Sequence, residues 1–89
     1  MIERKLLIAN KLGLHARATA RLVQVLSAFR SDATLVAKGR EVNAKSIMGV
    51  MLLAAGHGTS VVLRLEGEDE DAAMEAAAAL FERKFDEGG

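Results

Sequence analysis

The sequence contains no cysteine. That excludes a disulfide framework and thiolate chemistry, so a domain of this size has to stand on its core alone. Aromatic residues are almost as scarce. Phe29, Phe81 and Phe85 are the complete set, which predicts an aliphatic core of Leu, Val, Ile, Ala and Met. The longest apolar stretch runs from Ile47 to Gly56 and falls short of the roughly 20 residues that span a bilayer. No secretory segment is read at the start, because Met1-Ile2-Glu3-Arg4-Lys5 passes straight into a strand-like pattern. A cytoplasmic protein without membrane insertion is expected. Gly-rich nucleotide loops, serine triads and paired catalytic carboxylates are also missing. His15 and His57 by themselves supply no metal site, so neither a metal nor a cofactor is predicted.

What is present fits one domain over residues 1–89. Apolar residues make up 51% of the chain and charged residues 27%, a globular balance that allows one compact core. The net charge is zero but unevenly spread. Residues 1–45 carry nine Lys/Arg against Glu3, Asp32 and Glu41, a net +6. Residues 46–89 carry Arg64, Arg83 and Lys84 against nine Asp/Glu, a net −6. The acidic half reads most simply as the solvated face of a helix. The basic half suggests a face for an anionic ligand or partner.

Hydrophobic periodicity gives the element order. Ile2, Arg4, Leu6 and Ile8 alternate with Glu3, Lys5, Leu7 and Ala9 in an imperfect strand pattern. The run 10–14 breaks it as a loop. Thr19, Leu22, Val23 and Leu26 mark one face of a helix from about Ala16 to Phe29. Ala33, Leu35 and Ala37 predict a strand, Lys38-Gly39 a tight turn, and 40–43 a short returning strand. Ile47, Val50, Met51 and Ala54 have helical spacing, with Gly56-His57-Gly58 read as the cap. Val61, Leu63 and Leu65 predict a fourth strand. Glu68 to Asp71 lead into a last helix whose buried face is expected to hold Ala73, Ala76, Ala77, Leu80 and Phe81. The tail 86–89 is expected to fray. The order βαββαβα predicts an α+β open-faced sandwich, with a four-stranded antiparallel sheet and three helices on one face.

His15 is the most suggestive residue. It falls at or beside a helix N-cap, near N–H groups that have no intrahelical partner and near the positive end of the helix dipole. A phosphoryl group would be held there, and imidazole is nucleophilic near neutral pH. Arg17 adds a planar, permanently charged donor set for phosphate oxygens. Arg21, one turn on, adds longer-range charge. Most histidines at helix starts are exposed capping residues, and helix N-termini bind anions of many kinds. Position alone therefore supports an anion-binding helix start and nothing more specific.

The run Gly13-Leu14-His15-Ala16-Arg17-Ala18-Thr19-Ala20 resembles the active-site motif of the histidine-containing phosphocarrier (HPr) family of the sugar phosphotransferase system. Asn43-Ala44-Lys45-Ser46-Ile47-Met48-Gly49-Val50-Met51 resembles that family's regulatory serine segment. Gly58-Thr59 and Gly67-Glu68-Asp69-Glu70 also follow the family pattern, so the resemblance covers nearly the whole chain. It implies that His15 carries phosphate on Nδ1 and that Arg17 assists transfer. Most of the family has proline where this chain has Ala18, a change that affects first-turn geometry rather than chemistry.

The resemblance implies further roles. Ser46 becomes the site of a serine kinase and phosphorylase, in addition to its reading as the cap of the helix from Ile47. Ala16, Ala20, Ile47, Met48 and Met51 become contact residues for enzyme I and IIA proteins, and the chain acts as a monomer. It is then a stoichiometric carrier rather than an enzyme. Two other readings stay open. One is a regulatory branch for nitrogen or metabolic control, with the same His15 chemistry and other acceptors. The other is a non-catalytic binding module, since small α+β sheets also bind RNA. The phenylalanines are predicted on helices, which leaves no aromatic platform on the sheet and argues against nucleic acid.

Overall fold

The computed structural model describes residues 1–87. The elements are β1 (Ile2–Leu7), α1 (Ala16–Ser27), β2 (Asp32–Ala37), β3 (Arg40–Asn43), α2 (Ile47–Leu52), β4 (Ser60–Glu66) and α3 (Glu70–Glu82), followed by a 3₁₀ turn at Lys84–Asp86. The sheet is antiparallel throughout, with strand order β1-β4-β2-β3. The predicted order βαββαβα and the four-stranded sheet with its helices are therefore observed.

The period-two pattern decides which face is covered. Leu6, Ala33, Leu35, Ala37, Val61, Leu63 and Leu65 are buried together, while their alternates point away. Leu35 and Leu63 face each other across the central pair and are completely buried. Full burial of such a side chain contributes about 1.5–3 kcal/mol. The opposite face is mixed, with Leu7, Val36 and Val62 among charged and polar residues. There Arg64 donates to Glu3 at 2.7 Å and to Glu41 at 3.4 Å, an exposed array worth little to stability. The β2–β3 turn has both central residues at positive φ, Lys38 at 54° and Gly39 at 76°, as a two-residue hairpin requires.

The helices supply the other half of the core. α1 buries Ala18, Thr19, Leu22 and Leu26 and packs on α3 and α2. Val23 is only half-buried, because Ala18 rather than Val23 completes the inward stripe. α3 lies over β1 and β4 and buries Ala73, Met74, Ala77, Ala78, Leu80 and Phe81. Ala76 is half-buried, so Met74 and Ala78 take the place assigned to it.

Several boundaries differ from the sequence reading. α1 ends at Ser27, with Ala28 as its C-cap, so Phe29 lies beyond the helix. Phe85 sits in the 3₁₀ turn, and only Phe81 is helical; none of the three is on the sheet. α2 ends at Leu52 with Leu53 as C-cap, and the left-handed residue is Ala54 at φ 48°. Residues 56–58 form instead a loop bonded to the end of β1, where Gly58 N–H donates to Ile8 O at 2.8 Å. The tail departs most. Asp86 completes the 3₁₀ turn and Glu87 is folded against the body of the protein, while Gly88 and Gly89 lie outside the described residues.

Candidate functional site

The site is built by the loop between β1 and α1. Asn10 turns it, with its backbone carbonyl accepting from Gly13 N–H at 3.2 Å. Gly13 adopts φ +66°, and a Cβ there would stand 2.7 Å from Gly56 Cα and 2.8 Å from Ala55 O. Only glycine lets these two backbones approach. Leu14 N–H then donates to Ala55 O at 2.9 Å, and Leu14 O accepts from the buried Thr19 hydroxyl at 3.1 Å. The chain on both sides of residue 14 is thus fixed before α1 begins.

His15 is the N-cap of α1, with extended backbone at φ −76° and ψ −178°. Its carbonyl accepts the first helical bond, from Thr19 N–H at 2.9 Å. The N–H groups of Ala16, Arg17 and Ala18 therefore precede the helical ladder and form its donor end. The imidazole is partly open, with 27% of its side chain exposed. A cleft of about 730 Å³ runs beside it, lined by Lys11, Leu12, His15, Ala16, Arg17 and Glu87. His15, Ala16 and Arg17 are brought together there, and Arg17 is exposed. Arg21 turns elsewhere and donates to the Phe85 carbonyl.

Glu87 arrives from the far end of the chain. Its Oε2 lies 2.5 Å from His15 Nε2, and its Oε1 accepts from Asn10 Nδ2 at 2.9 Å. Asn10 is completely buried, and the same Nδ2 also donates to Gly13 O at 2.8 Å. Two acceptor oxygens face this amide, so its NH₂ must point at them. Burial disfavours the charged Glu87 carboxylate. The hydrogen bonds from Asn10 and His15, with the charges of His15 and Arg17, outweigh that effect and hold its pKa below the ordinary value. The turn that delivers it is strained. Lys84, Phe85 and Asp86 have φ of 56°, 57° and 61°, and each left-handed residue costs about 1–2 kcal/mol. Phe85 is completely buried, with its ring 4.7 Å from that of Phe81.

The family profile described as "PTS HPr component phosphorylation site" matches residues 2–83. A phosphocarrier protein HPr of Xylella fastidiosa is 63% identical over 87 residues, covering 98% of each chain. The chain belongs to the HPr family of phosphocarriers. A phosphocarrier protein NPr of Shewanella violacea is 42% identical, over 97% of this chain and 94% of its own. The crystal structure of an HPr from Thermoanaerobacter tengcongensis superposes with a TM-score of 0.94 at 46% identity, covering 98% of each chain.

The other residues expected from the resemblance to HPr lie on α2, at its start and on α1. Ser46 is the N-cap of α2, its Oγ accepting from Gly49 N–H at 3.1 Å. Beyond it Ile47, Met48 and Met51 are exposed, Met48 by 75%. Ala20 is exposed on α1, and neither it nor the α2 residues line the His15 cleft. Leu12 and Leu52 are equally open, at 70% and 64%, and escaped the sequence reading. Leu12 sits in a loop with no period to read, and Leu52 falls four residues after Met48, off the Ile47, Val50, Met51 and Ala54 spacing. His57 is an exposed loop residue. Among the described residues no group of three or more His, Cys, Asp or Glu is placed to hold a metal ion, and no helix is long and apolar enough to cross a membrane.

Proposed function

We propose that His15 accepts a phosphoryl group from phosphorylated enzyme I and passes it to a histidine of a IIA protein in the sugar phosphotransferase system. The observation that carries this reading is His15 as the N-cap of α1, with its imidazole opening on a cleft shared with Arg17. The donor end of α1 and the guanidinium supply positive potential where phosphoryl oxygens gather. The partly open ring suits a carrier that must give up its load to a second protein. Such a protein is consumed and regenerated stoichiometrically, and it works in the cytoplasm.

Ile47, Met48 and Met51, with Ala16 and Ala20, form the docking surface in this reading, and Leu12 and Leu52 extend it. Flexible methionines suit a surface used by more than one partner. Ser46 is the regulatory phosphorylation site of a serine kinase. A phosphate there sits at a helix start and changes the charge of the docking surface without unfolding the domain.

The test is reconstitution. Enzyme I and phosphoenolpyruvate should place an acid-labile phosphoryl group on the chain, and His15→Ala should abolish it. No labelling with a competent enzyme I would sink the proposal. The NPr relative favours a second reading, a regulatory branch with the same chemistry and different acceptors. Transfer from the phosphorylated chain to IIA proteins of the two kinds, run in parallel, separates the readings.

A further inference from the structure

Phosphoryl transfer to an imidazole needs one ring nitrogen with a free lone pair, and in this fold the two nitrogens of His15 are not equivalent. Nε2 is engaged by the Glu87 carboxylate at 2.5 Å. We propose that Glu87 is a positioning residue for His15: it keeps the ring hydrogen on Nε2, presents Nδ1 as the nucleophile, and holds that hydrogen in place while the phosphoryl group is aboard. The proposal rests on the reading of His15 as the phosphoryl acceptor.

The donor and acceptor roles follow from chemistry. An ionised carboxylate only accepts hydrogen bonds, so the hydrogen between Glu87 and His15 belongs to the imidazole. In the neutral ring the other nitrogen, Nδ1, then carries the lone pair. The depressed pKa of Glu87 agrees with a carboxylate that stays ionised near neutrality. A carboxylate fixing the tautomer of a histidine is the arrangement by which serine hydrolases orient their base.

Glu87 is built into place rather than swept there. Only 9% of its side chain is exposed, and its second oxygen is held by the buried Asn10. Asn10 also holds the Gly13 carbonyl, so one amide ties the loop before His15 to the carboxylate behind it. The segment just upstream is anchored by buried Phe85 and by Arg21 on the Phe85 carbonyl. Three consecutive left-handed residues persist only where surrounding contacts over-determine them. Here those contacts aim a carboxylate at Nε2. The other charged groups nearby are Lys11 and Arg17 in the same cleft, and Arg83 paired to Asp86 at 2.8 Å.

The transfer balances without a proton leaving. The Nδ1 lone pair forms the new P–N bond as the bond to the donor imidazole breaks, and the donor keeps that electron pair. His15 then carries the phosphoryl group on Nδ1 and hydrogen on Nε2, and the ring is cationic. Glu87 faces that positive charge. On delivery the P–N electrons return to Nδ1 and His15 departs as neutral imidazole. Without the Nε2 hydrogen the leaving group would be an imidazolate, which is far poorer. Glu87 thus favours both loading and unloading.

The test uses the full-length chain labelled with ¹⁵N-histidine, as wild type, Glu87→Gln and Glu87→Ala. Circular dichroism and urea midpoints establish that the variants fold. At pH 8, long-range ¹H–¹⁵N spectra should show His15 of the wild type predominantly as the Nε2–H form and both variants as mixtures. After phosphorylation by enzyme I and phosphoenolpyruvate, the same spectra at pH 8 should show the Nε2 hydrogen retained in the wild type and less so in the variants. Transfer to a IIA protein at pH 8 should then be about tenfold slower, and Glu87→Asp should recover part of it. A wild-type ring protonated mainly on Nδ1, or identical spectra in all variants before and after phosphorylation, would overturn the proposal. Tautomer control in a wild-type chain that takes no phosphoryl group would instead overturn the carrier reading, and with it any role of Glu87 in transfer.

Discussion

Gly13 and Thr19 show how single residues place His15. A methyl group at position 13 would meet backbone atoms of Ala55 and Gly56, and the φ of +66° is itself unfavourable for alanine. Gly13→Ala is expected to lower stability by about 2–4 kcal/mol, read as a shift in the urea midpoint. Thr19 is completely buried, and its hydroxyl is the side-chain donor to Leu14 O. Thr19→Val keeps the shape but leaves that carbonyl without it, and should cost about 1–2 kcal/mol. Both losses fall on the stretch that orients the ring, so labelling of His15 should slow in each folded variant. That His15 and Arg17 share one cleft was legible in the sequence, because they are two positions apart at one predicted helix start. Glu87 was not. It meets His15 across 72 positions, and an acidic residue near a chain end looks solvated. The available signal was Phe85, a large apolar residue in a segment otherwise charged, which needed somewhere to be buried.

At the scale of elements, caps decide where helices begin and what they hold. α2 has six residues, too few to be stable alone, and depends on packing and on its cap. Ser46→Ala should therefore cost about 1 kcal/mol, whereas Ser46→Asp should retain wild-type stability because aspartate caps as well as serine. Thermal denaturation of the pair checks this. The start of α3 works differently. The sequence reading assigned its acidic residues to the helix dipole, but the Asp69 carboxylate is used across the fold. It accepts from Arg30 N–H at 2.8 Å, from Ser31 N–H at 3.0 Å and from the Ser31 hydroxyl, tying the entry of β2 to α3. The Ser31 hydroxyl, followed by the Arg30 N–H, holds its pKa below the ordinary 3.8. A depressed carboxylate contributes its stability in full above the ordinary value and loses it as pH falls through the folded one. Urea midpoints of the wild type should thus decline below about pH 4. Asp69→Asn should be less stable at pH 7 and show a shallower decline. Equal slopes would count against this clasp. Periodicity finds helices but carries no information on a bond spanning 38 positions.

At the scale of the molecule, the surface divides into a mixed outer sheet face and a helical side whose shortest helix is largely apolar outside. The element order and resemblance gave the antiparallel sheet. The strand order β1-β4-β2-β3 depends on non-local pairing that local patterns do not encode. Nor did spacing alone divide α2 into core and surface. Ile47 and Met51, which share helical spacing with Val50, are exposed by 44% and 41%, and Val50 alone in the helix is buried. A helix that turns Ile47, Met48, Met51 and Leu52 to solvent gains no folding stability from those side chains. Under the proposed function their use is docking, and Met48 separates the two roles best. It is 75% exposed, so Met48→Glu should change stability by no more than about 0.5 kcal/mol. It also puts a charge into the center of an apolar contact, where it would be desolvated without a partner. Phosphoryl transfer from enzyme I at limiting carrier concentration should therefore slow by tenfold or more, while transfer at saturating concentration recovers. Added salt gives the complementary measurement. If the net +6 of residues 1–45 steers acidic partners, the second-order rate should fall as ionic strength rises past 0.1 M, where charges are screened beyond about 10 Å. Met48→Glu should keep nearly the same relative salt dependence as the wild type, because the charges of residues 1–45 are unchanged. A variant that loses salt dependence together with rate would show instead that docking and steering are the work of one patch.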